Sequence, residues 1–253
     1  MDFKEVAVKA ALEAGKFILE KQKSMGKITS KGHADILTEA DLGSEKIIVD
    51  LIKENFPKHS ILSEEMGAED NSSEYTWIID PLDGTIFFSR GIPLFSVSIA
   101  LKYKKEIILG VVYAPVTNEL FTAEKGKGAQ LNGKRISVSQ KNFSESFIAV
   151  DYLPAEKQIK AAMNFVENSA KKAFFVRTFA CEVLELAFVA CGRFEANVTF
   201  MTKPWDVATG ILFVEEAGGK VTNFEGNKFD IEKKELYLVA SNGKIHEELL
   251  ELI

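Results

Sequence analysis

A chain of 253 residues, 46 % apolar and 27 % charged, is long enough to bury a sizeable core as one large domain or two closely packed halves. Its formal charge of −6, with no Lys/Arg cluster outside short loops, argues against a nucleic-acid duplex or an anionic membrane as principal partner. No basic leader with an apolar run follows Met1 and no later stretch suits a bilayer span, so a cytoplasmic protein is expected.

Phe3, Val6, Ala7, Ala10, Ala14, Phe17 and Ile18 recur at three-and-four spacing, predicting an amphipathic helix over residues 2–22. A Gly/Lys-containing link covers 25–33. Thr38-Glu39-Ala40-Asp41 then resembles a helix start, with Ile47, Ile48, Leu51 and Ile52 on its buried side. Residues 60–63 and 75–79 read as buried strands, each ending in acidic residues, so carboxylates collect at strand ends. Residues 95–103 and 107–113 form an antiparallel hairpin about Lys104-Lys105-Glu106, and 120–123 and 130–138 continue the sheet.

Beyond about residue 140 the elements alternate: strand 147–150, helix 155–168, strand 174–177, helix 181–190, strand 194–200, a helix from Pro204 to Gly218, strand 236–240 and a terminal helix. The chain is therefore read as an α+β half, 1–140, and an α/β half, 141–253. Cys181 and Cys191 fall on different faces of one predicted helix, so reduced thiols are expected. His33, His59 and His246 lack metal-ligand spacing and read as surface or capping residues.

Chemistry concentrates at Asp80-Pro81-Leu82-Asp83-Gly84-Thr85, where Pro81 stops the strand from running straight on and lets both carboxylates turn toward one point. Asp-Pro and Asp-Gly are also common turn pairs. The second acidic strand end, Ser63-Glu64-Glu65, weighs against a mere turn, because two such ends side by side repel unless a cation sits between them. Mg²⁺ suits a bridging carboxylate with neighbouring carboxylates, a main-chain carbonyl and waters. Gly84 and Thr85 would offer main-chain N–H groups to a phosphate at a helix start.

These residues, with Trp205-Asp206-Val207-Ala208-Thr209-Gly210 and Glu216-Ala217-Gly218-Gly219, resemble the inositol monophosphatase family in order and spacing over almost the whole chain. The resemblance implies an α/β (α+β) fold, a layered αβαβα sandwich. It also implies a homodimer that hydrolyses phosphate monoesters with two or three Mg²⁺ ions, replaceable by Mn²⁺, and that is often inhibited by Li⁺. Glu64, Asp80 and the Leu82 carbonyl would hold one ion, and Asp80, Asp83 and Asp206 a second. A weaker third would rest mainly on waters and Glu64, with Lys31 and Glu65 nearby. Thr85 and Asp41 would orient and deprotonate the attacking water. Asp83, Gly84, Thr85, Ala180, Glu182, Thr199, Arg177 and Asp206 would border the phosphate and the substrate. By position alone, Asp41 and Asp206 are also acids favourable to a helix's positive end, and Lys31 is also a solvated charge.

Three departures from the family bear on the alcohol released. Phe87 replaces an Asn that commonly follows Asp-Gly-Thr, and an aromatic ring cannot supply an amide's hydrogen bonds. In Arg177-Thr178-Phe179-Ala180-Cys181-Glu182-Val183, where the family usually has a run such as Gly-Ser-Ala-Ala, Glu182 adds bulk and charge. Facing the pocket it would accept hydrogen bonds from polyol hydroxyls and repel a second phosphate; otherwise it is a solvated helix residue. Thr199 stands near the place where animal inositol enzymes carry a Glu that contacts inositol. Arg177, Arg193 and Lys203 are candidates for a second phosphate or are ordinary surface charges. The leading expectation is hydrolysis of inositol 1-phosphate and/or fructose 1,6-bisphosphate. Within the fold the alternative is a 3′-phosphoadenosine 5′-phosphate or NADP(H) phosphatase, whose usual Lys-Glu-Phe is not matched by Ile86-Phe87-Phe88. From another class comes a catalytically silent ligand-binding or regulatory member, against which the intact acidic cluster argues.

Overall fold

The computed structural model of the protein describes residues 2–24, 26, 28–32 and 35–253. Helix α1, Phe3–Lys23, starts where Asp2 and Glu5 cap each other's backbone N–H groups, and it buries an alanine-rich stripe from Val6 to Ile18. Alanines bring α1 close to α2, Glu39–Asn55, and the two helices cover one face of the larger sheet. Between them the expected link is instead a hairpin, β1 Ile28–Gly32 with β2 Asp35–Thr38. Every residue of β1 is exposed, so no apolar alternation marks it. His33 lies outside the described residues.

The larger sheet comprises β3 Ser60–Ser63, β4 Gly67–Glu69, β5 Tyr75–Asp83, β6 Ser96–Tyr103, β7 Glu106–Ala114, β8 Glu119–Glu124, β9 Gly128–Leu131 and β10 Lys134–Arg135, with the short helix α3, Thr85–Ser89, after β5. Its order is β10-β9-β8-β7-β6-β5-β3-β4, antiparallel throughout except for the parallel pair β3 and β5. The single strand expected over 130–138 is broken by Asn132 and Gly133, both at positive φ, into the hairpin β9–β10.

The second sheet takes β11 Phe147–Tyr152, β12 Phe175–Arg177, β13 Ala196–Thr202, β14 Lys220–Thr222 and β15 Leu236–Ser241 in the order β12-β11-β13-β15-β14. Helices α5, Glu182–Ala190, and α6, Pro204–Glu216, are apolar almost all round, and they fill the space between the two sheets. Helices α4, Glu156–Ala170, and α7, His246–Leu250, close the outer face of the second sheet. The layers therefore run helix, sheet, helix, sheet, helix, the αβαβα sandwich that the sequence led us to expect. Among the described residues no helix is long and apolar enough to cross a membrane.

Two histidines depart from the surface reading. His246 is fully buried, its ring nitrogens bridging the hydroxyls of Thr222 at 2.9 Å and Ser241 at 2.8 Å, so it ties α7 to β14 and β15. His59 is half-buried against Phe56 and Tyr75 and accepts a 3.1 Å hydrogen bond from Trp77 Nε1. Both cysteines are unpaired.

Candidate metal and phosphate site

Because β3 and β5 are parallel neighbours with Ser63 opposite Ile79, Glu64, just past the end of β3, comes beside Asp80, which is still paired with Ser98 of β6. The Glu64 N–H still donates to the Ile79 carbonyl at 3.2 Å. Pro81 falls where the β5–β6 register slips, between Asp80 and Asp83. Asp80 Oδ1 then accepts from the Leu82 N–H at 3.0 Å, while Asp83 Oδ2 meets the Cys181 thiol at 3.0 Å. Gly84 turns the chain into α3 at φ +83°, and a Cβ there would sit 2.6 Å from the Leu94 carbonyl oxygen. Asp206 comes from the first turn of α6, where its carboxylate accepts from the Lys203 N–H at 3.1 Å and lies 3.2 Å from the Thr202 hydroxyl oxygen. It thus caps its own helix while facing the other acids.

Thr85 Oγ1 stands 2.9 Å from Asp41 Oδ1 and 2.8 Å from the Leu82 carbonyl oxygen. Asp41 is fully buried in the first turn of α2, where its other oxygen accepts from the N–H and the hydroxyl of Thr38 at 2.8 and 2.6 Å. The sequence reading missed Glu45, one turn further along α2. Its buried Oε1 accepts from the Ser63 hydroxyl and from the N–H groups of Glu65 and Met66 at 3.2 and 2.9 Å, so it fixes the loop that aims Glu64. A signal was present, since Asp41, Ser44, Glu45 and Ile48 share the three-and-four spacing of a buried helix face.

Burial pushes the Asp83 carboxyl up to about 8, with Asp206 and Asp151 adding repulsion against the relief of the Cys181 hydrogen bond. Asp80 lies well above the usual carboxylate range through burial and the repulsion of Glu64, Asp83 and Asp206. Glu64 rises to about 7 by burial although Lys31 opposes it, and Asp206 rises to about 6 by burial despite its capping bonds. Burial likewise lifts Asp41. The Lys31 ammonium lies 3.0 Å from Glu64 and 2.7 Å from Glu65, bound to carboxylates rather than simply solvated.

A cavity of about 250 Å³ opens on Glu64, Asp83, Gly84, Thr85 and Asp206. From the second sheet and the start of α5 it is lined by Asp151, Ala180, Glu182, Thr199, Met201 and Thr202. Asp80, Leu82 and Asp41 are buried and do not line it. Glu182 faces the cavity rather than solvent, and each of its oxygens accepts a 2.6 Å hydrogen bond, from Thr199 and Thr202 respectively. Asp151 and Glu185, both overlooked as site residues in the sequence, share the Asn197 amide at 2.9 Å each, and Thr199 also reaches Asn197 Oδ1 at 2.9 Å.

Three basic candidates are employed elsewhere. Arg177 lays its guanidinium 3.7 Å from the Phe175 ring centroid, Arg193 pairs with Glu119, and Lys203 starts α6; none lines the cavity. Phe87 packs against the core between the sheets in place of an amide's hydrogen bonds. Among the described residues no three acidic, imidazole or thiol side chains already stand as a closed metal cage. The carboxylates are instead neighbours engaged with local donors. Buried Asp80 and Asp83 with half-buried Glu64 and Asp206 nevertheless make a mutually repelling set of oxygen donors that suits hard divalent cations, whose charge would relieve that repulsion.

A family model described as the inositol monophosphatase family matches residues 2–253. A Thermotoga maritima protein named fructose-1,6-bisphosphatase/inositol-1-monophosphatase is 35 % identical, with 100 % of this chain and 96 % of the relative covered. A Pseudomonas aeruginosa protein named Nus factor SuhB is 37 % identical, with 98 % and 94 % covered. The crystal structure of the Bartonella henselae extragenic suppressor protein suhB superposes with a TM-score of 0.92 at 36 % identity, covering 98 % of this chain and 96 % of that one.

Proposed function

This chain belongs to the inositol monophosphatase family, and from that premise we propose that it hydrolyses a phosphate monoester of a sugar or polyol with Mg²⁺. The observation that carries this reading is the gathering of buried Asp80 and Asp83 with half-buried Glu64 and Asp206, mutually repelling, beside the Thr85–Asp41 pair. In it, Glu64, Asp80 and the Leu82 carbonyl would hold one ion, Asp80, Asp83 and Asp206 a second, and Glu64 with waters a weaker third. When bound, such ions neutralise phosphoryl oxygens and lower the pKa of water, and Mn²⁺ can replace Mg²⁺ on oxygen ligands.

The chain's own residues supply position and a proton path. Gly84 and Thr85 border the cavity at the start of α3, where main-chain N–H groups meet phosphate oxygens. With only five residues α3 adds little dipole, so hydrogen bonding carries this contact. As water attacks phosphorus and the P–O bond to the alcohol breaks, the water's proton passes to Thr85 Oγ1 while the Thr85 hydroxyl proton moves to Asp41 Oδ1, and the departing alkoxide takes a proton from solvent. Burial makes Asp41 a stronger base than an ordinary carboxylate, which suits it to receive that proton.

Inositol 1-phosphate and fructose 1,6-bisphosphate are the leading substrates, consistent with the name of the T. maritima relative. We take the protein to be a cytoplasmic homodimer, as members of the family usually are. The relatives named Nus factor SuhB favour a second reading, a binding protein acting as a Nus factor. The test is phosphate release with and without Mg²⁺ from inositol 1-phosphate, fructose 1,6-bisphosphate, 3′-phosphoadenosine 5′-phosphate and NADP⁺. Mg²⁺-dependent release from the first two is expected; silence on all four from folded protein would leave the binding reading ahead.

A further inference from the structure

We infer that Asp151 and Glu185 are positioning residues: joined through Asn197, they clamp the turn at Ala180 and Cys181 so that the Cys181 thiol donates its hydrogen bond to Asp83. The inference rests on the proposed function only for the metal ion that Asp83 would hold.

Ala180 precedes α5 at φ +53°, a left-handed conformation that a residue with a Cβ adopts when its surroundings impose it. Two main-chain bonds hold it here. The Ala180 N–H donates to Asp151 Oδ1 at 3.2 Å, and the Cys181 N–H donates to Glu185 Oε1 at a longer 3.4 Å. The remaining oxygen of each acid accepts from the Asn197 amide nitrogen at 2.9 Å, so one side chain of β13 uses both its hydrogens to tie β11 to α5. Asn197 is fully buried, and Asp151 and Glu185 are nearly so. Glu182 makes no such bond to the turn, because its oxygens accept from Thr199 and Thr202.

Two buried carboxylates bridged by one uncharged amide would repel each other. Burial first, then the charge of Asp151 and a hydrogen bond with it, push Glu185 well above the usual carboxylate range, so Glu185 keeps its proton and the pair holds together. With its backbone fixed in this way, Cys181 reaches Asp83 Oδ2 at 3.0 Å, closer than the Ser96 hydroxyl at 3.4 Å. Its sulfur also lies against Gly84, where an added Cβ would come within 3.2 Å of it. Without the clamp the turn would relax toward negative φ and withdraw the thiol. Asp83 would then lose its orientation and keep its charge.

The infrared S–H stretch of Cys181, assigned by its disappearance in Cys181→Ala, reads this hydrogen bond in metal-free protein. Glu185→Leu should raise its frequency to that of a freed thiol, and Glu185→Gln, which still hydrogen-bonds Asp151, should leave it in place. Asn197→Ser breaks the clamp from the other side and serves if Glu185→Leu does not fold. Calorimetric Mn²⁺ binding should weaken about tenfold in Glu185→Leu and in Cys181→Ala, and no further when the two are combined, because both remove one contact. Glu185→Gln should bind Mn²⁺ as the wild type does. A merely structural role would lower the melting temperature of the clamp variants and leave the stretch where it is; that result, or a combined loss of about 100-fold, would overturn the inference. Because the stretch is read without metal or turnover, it decides the matter even in a wild type that binds no Mn²⁺ or releases no phosphate, results that would sink only the metal and hydrolase readings.

Discussion

Replacing Asp83 by Asn tests whether the acidic cluster is a strained metal site. In the unfolded chain an Asp releases its proton near 3.8, whereas burial and its neighbours hold Asp83 up to about 8 in the fold. Between those values the folded state binds more protons, so stability falls as pH rises from about 4 to about 8. At roughly 1.36 kcal/mol per decade the full penalty is at most about 6 kcal/mol. The uncharged amide of the Asp83→Asn variant escapes it but weakens the contacts with Cys181 and Ser96, at roughly 1 kcal/mol each. Metal-free Asp83→Asn should therefore be more stable than the wild type at pH 8 by up to about 4 kcal/mol, a rise of up to about 8–16 °C in melting temperature for a chain of this size. The gain should vanish near pH 4. Mg²⁺ should stabilise the wild type and not the variant, and turnover should fall at least ~1,000-fold with the loss of a ligand. Thermal melts at pH 4 and 8, in chelator and in Mg²⁺, make the comparison. A variant melting at or below the wild type at pH 8 in chelator, or equal Mg²⁺ stabilisation of both proteins, would refute the reasoning.

Two further outcomes separate roles within the fold. Thr85→Ala removes the link to Asp41 without touching a carboxylate, so kcat should drop by about 10²–10⁴ while the Mg²⁺-induced rise in melting temperature persists. Losing both together would place Thr85 in metal binding instead. Burial and Lys220 lower His246 from 6.5 to about 4, so the unfolded chain takes up this proton first as pH falls. Stability should drop between pH 6.5 and 4 by about 3 kcal/mol, a limb of the denaturant-unfolding profile that His246→Gln should flatten.

Periodicity identified every long helix and most central strands because those segments bury one face or both. What escaped it had little to bury. Strand β1 is exposed along its length, while β4 and β14 are three-residue strands at sheet edges, too short to display an alternation. The parallel pairing of β3 with β5 was hidden for another reason. Register depends on tertiary contacts, and only the shared fate of the acidic residues at the two strand ends hinted at it.

The site was legible where a motif compresses it into consecutive residues, as from Asp80 to Thr85, and obscure where single side chains arrive from separate elements. Asp151, Glu185 and Asn197 meet only after β11, α5 and β13 have folded together, and nothing local distinguishes them from strand and helix residues. Glu45, Glu182 and Glu185 nonetheless share a feature visible in one dimension: each is an acid three or four residues from apolar residues on a buried helix face. An unpaired carboxylate there would destabilise the fold, so its presence requires donors, a proton or a cation to meet it. Glu45 is answered by Ser63 and two main-chain N–H groups and is therefore structural. Glu182 is answered by two threonine hydroxyls and still opens on the cavity. Acids of the first kind hold the loops around the proposed metal site in place, and those of the second kind keep acceptor oxygens turned toward the cavity.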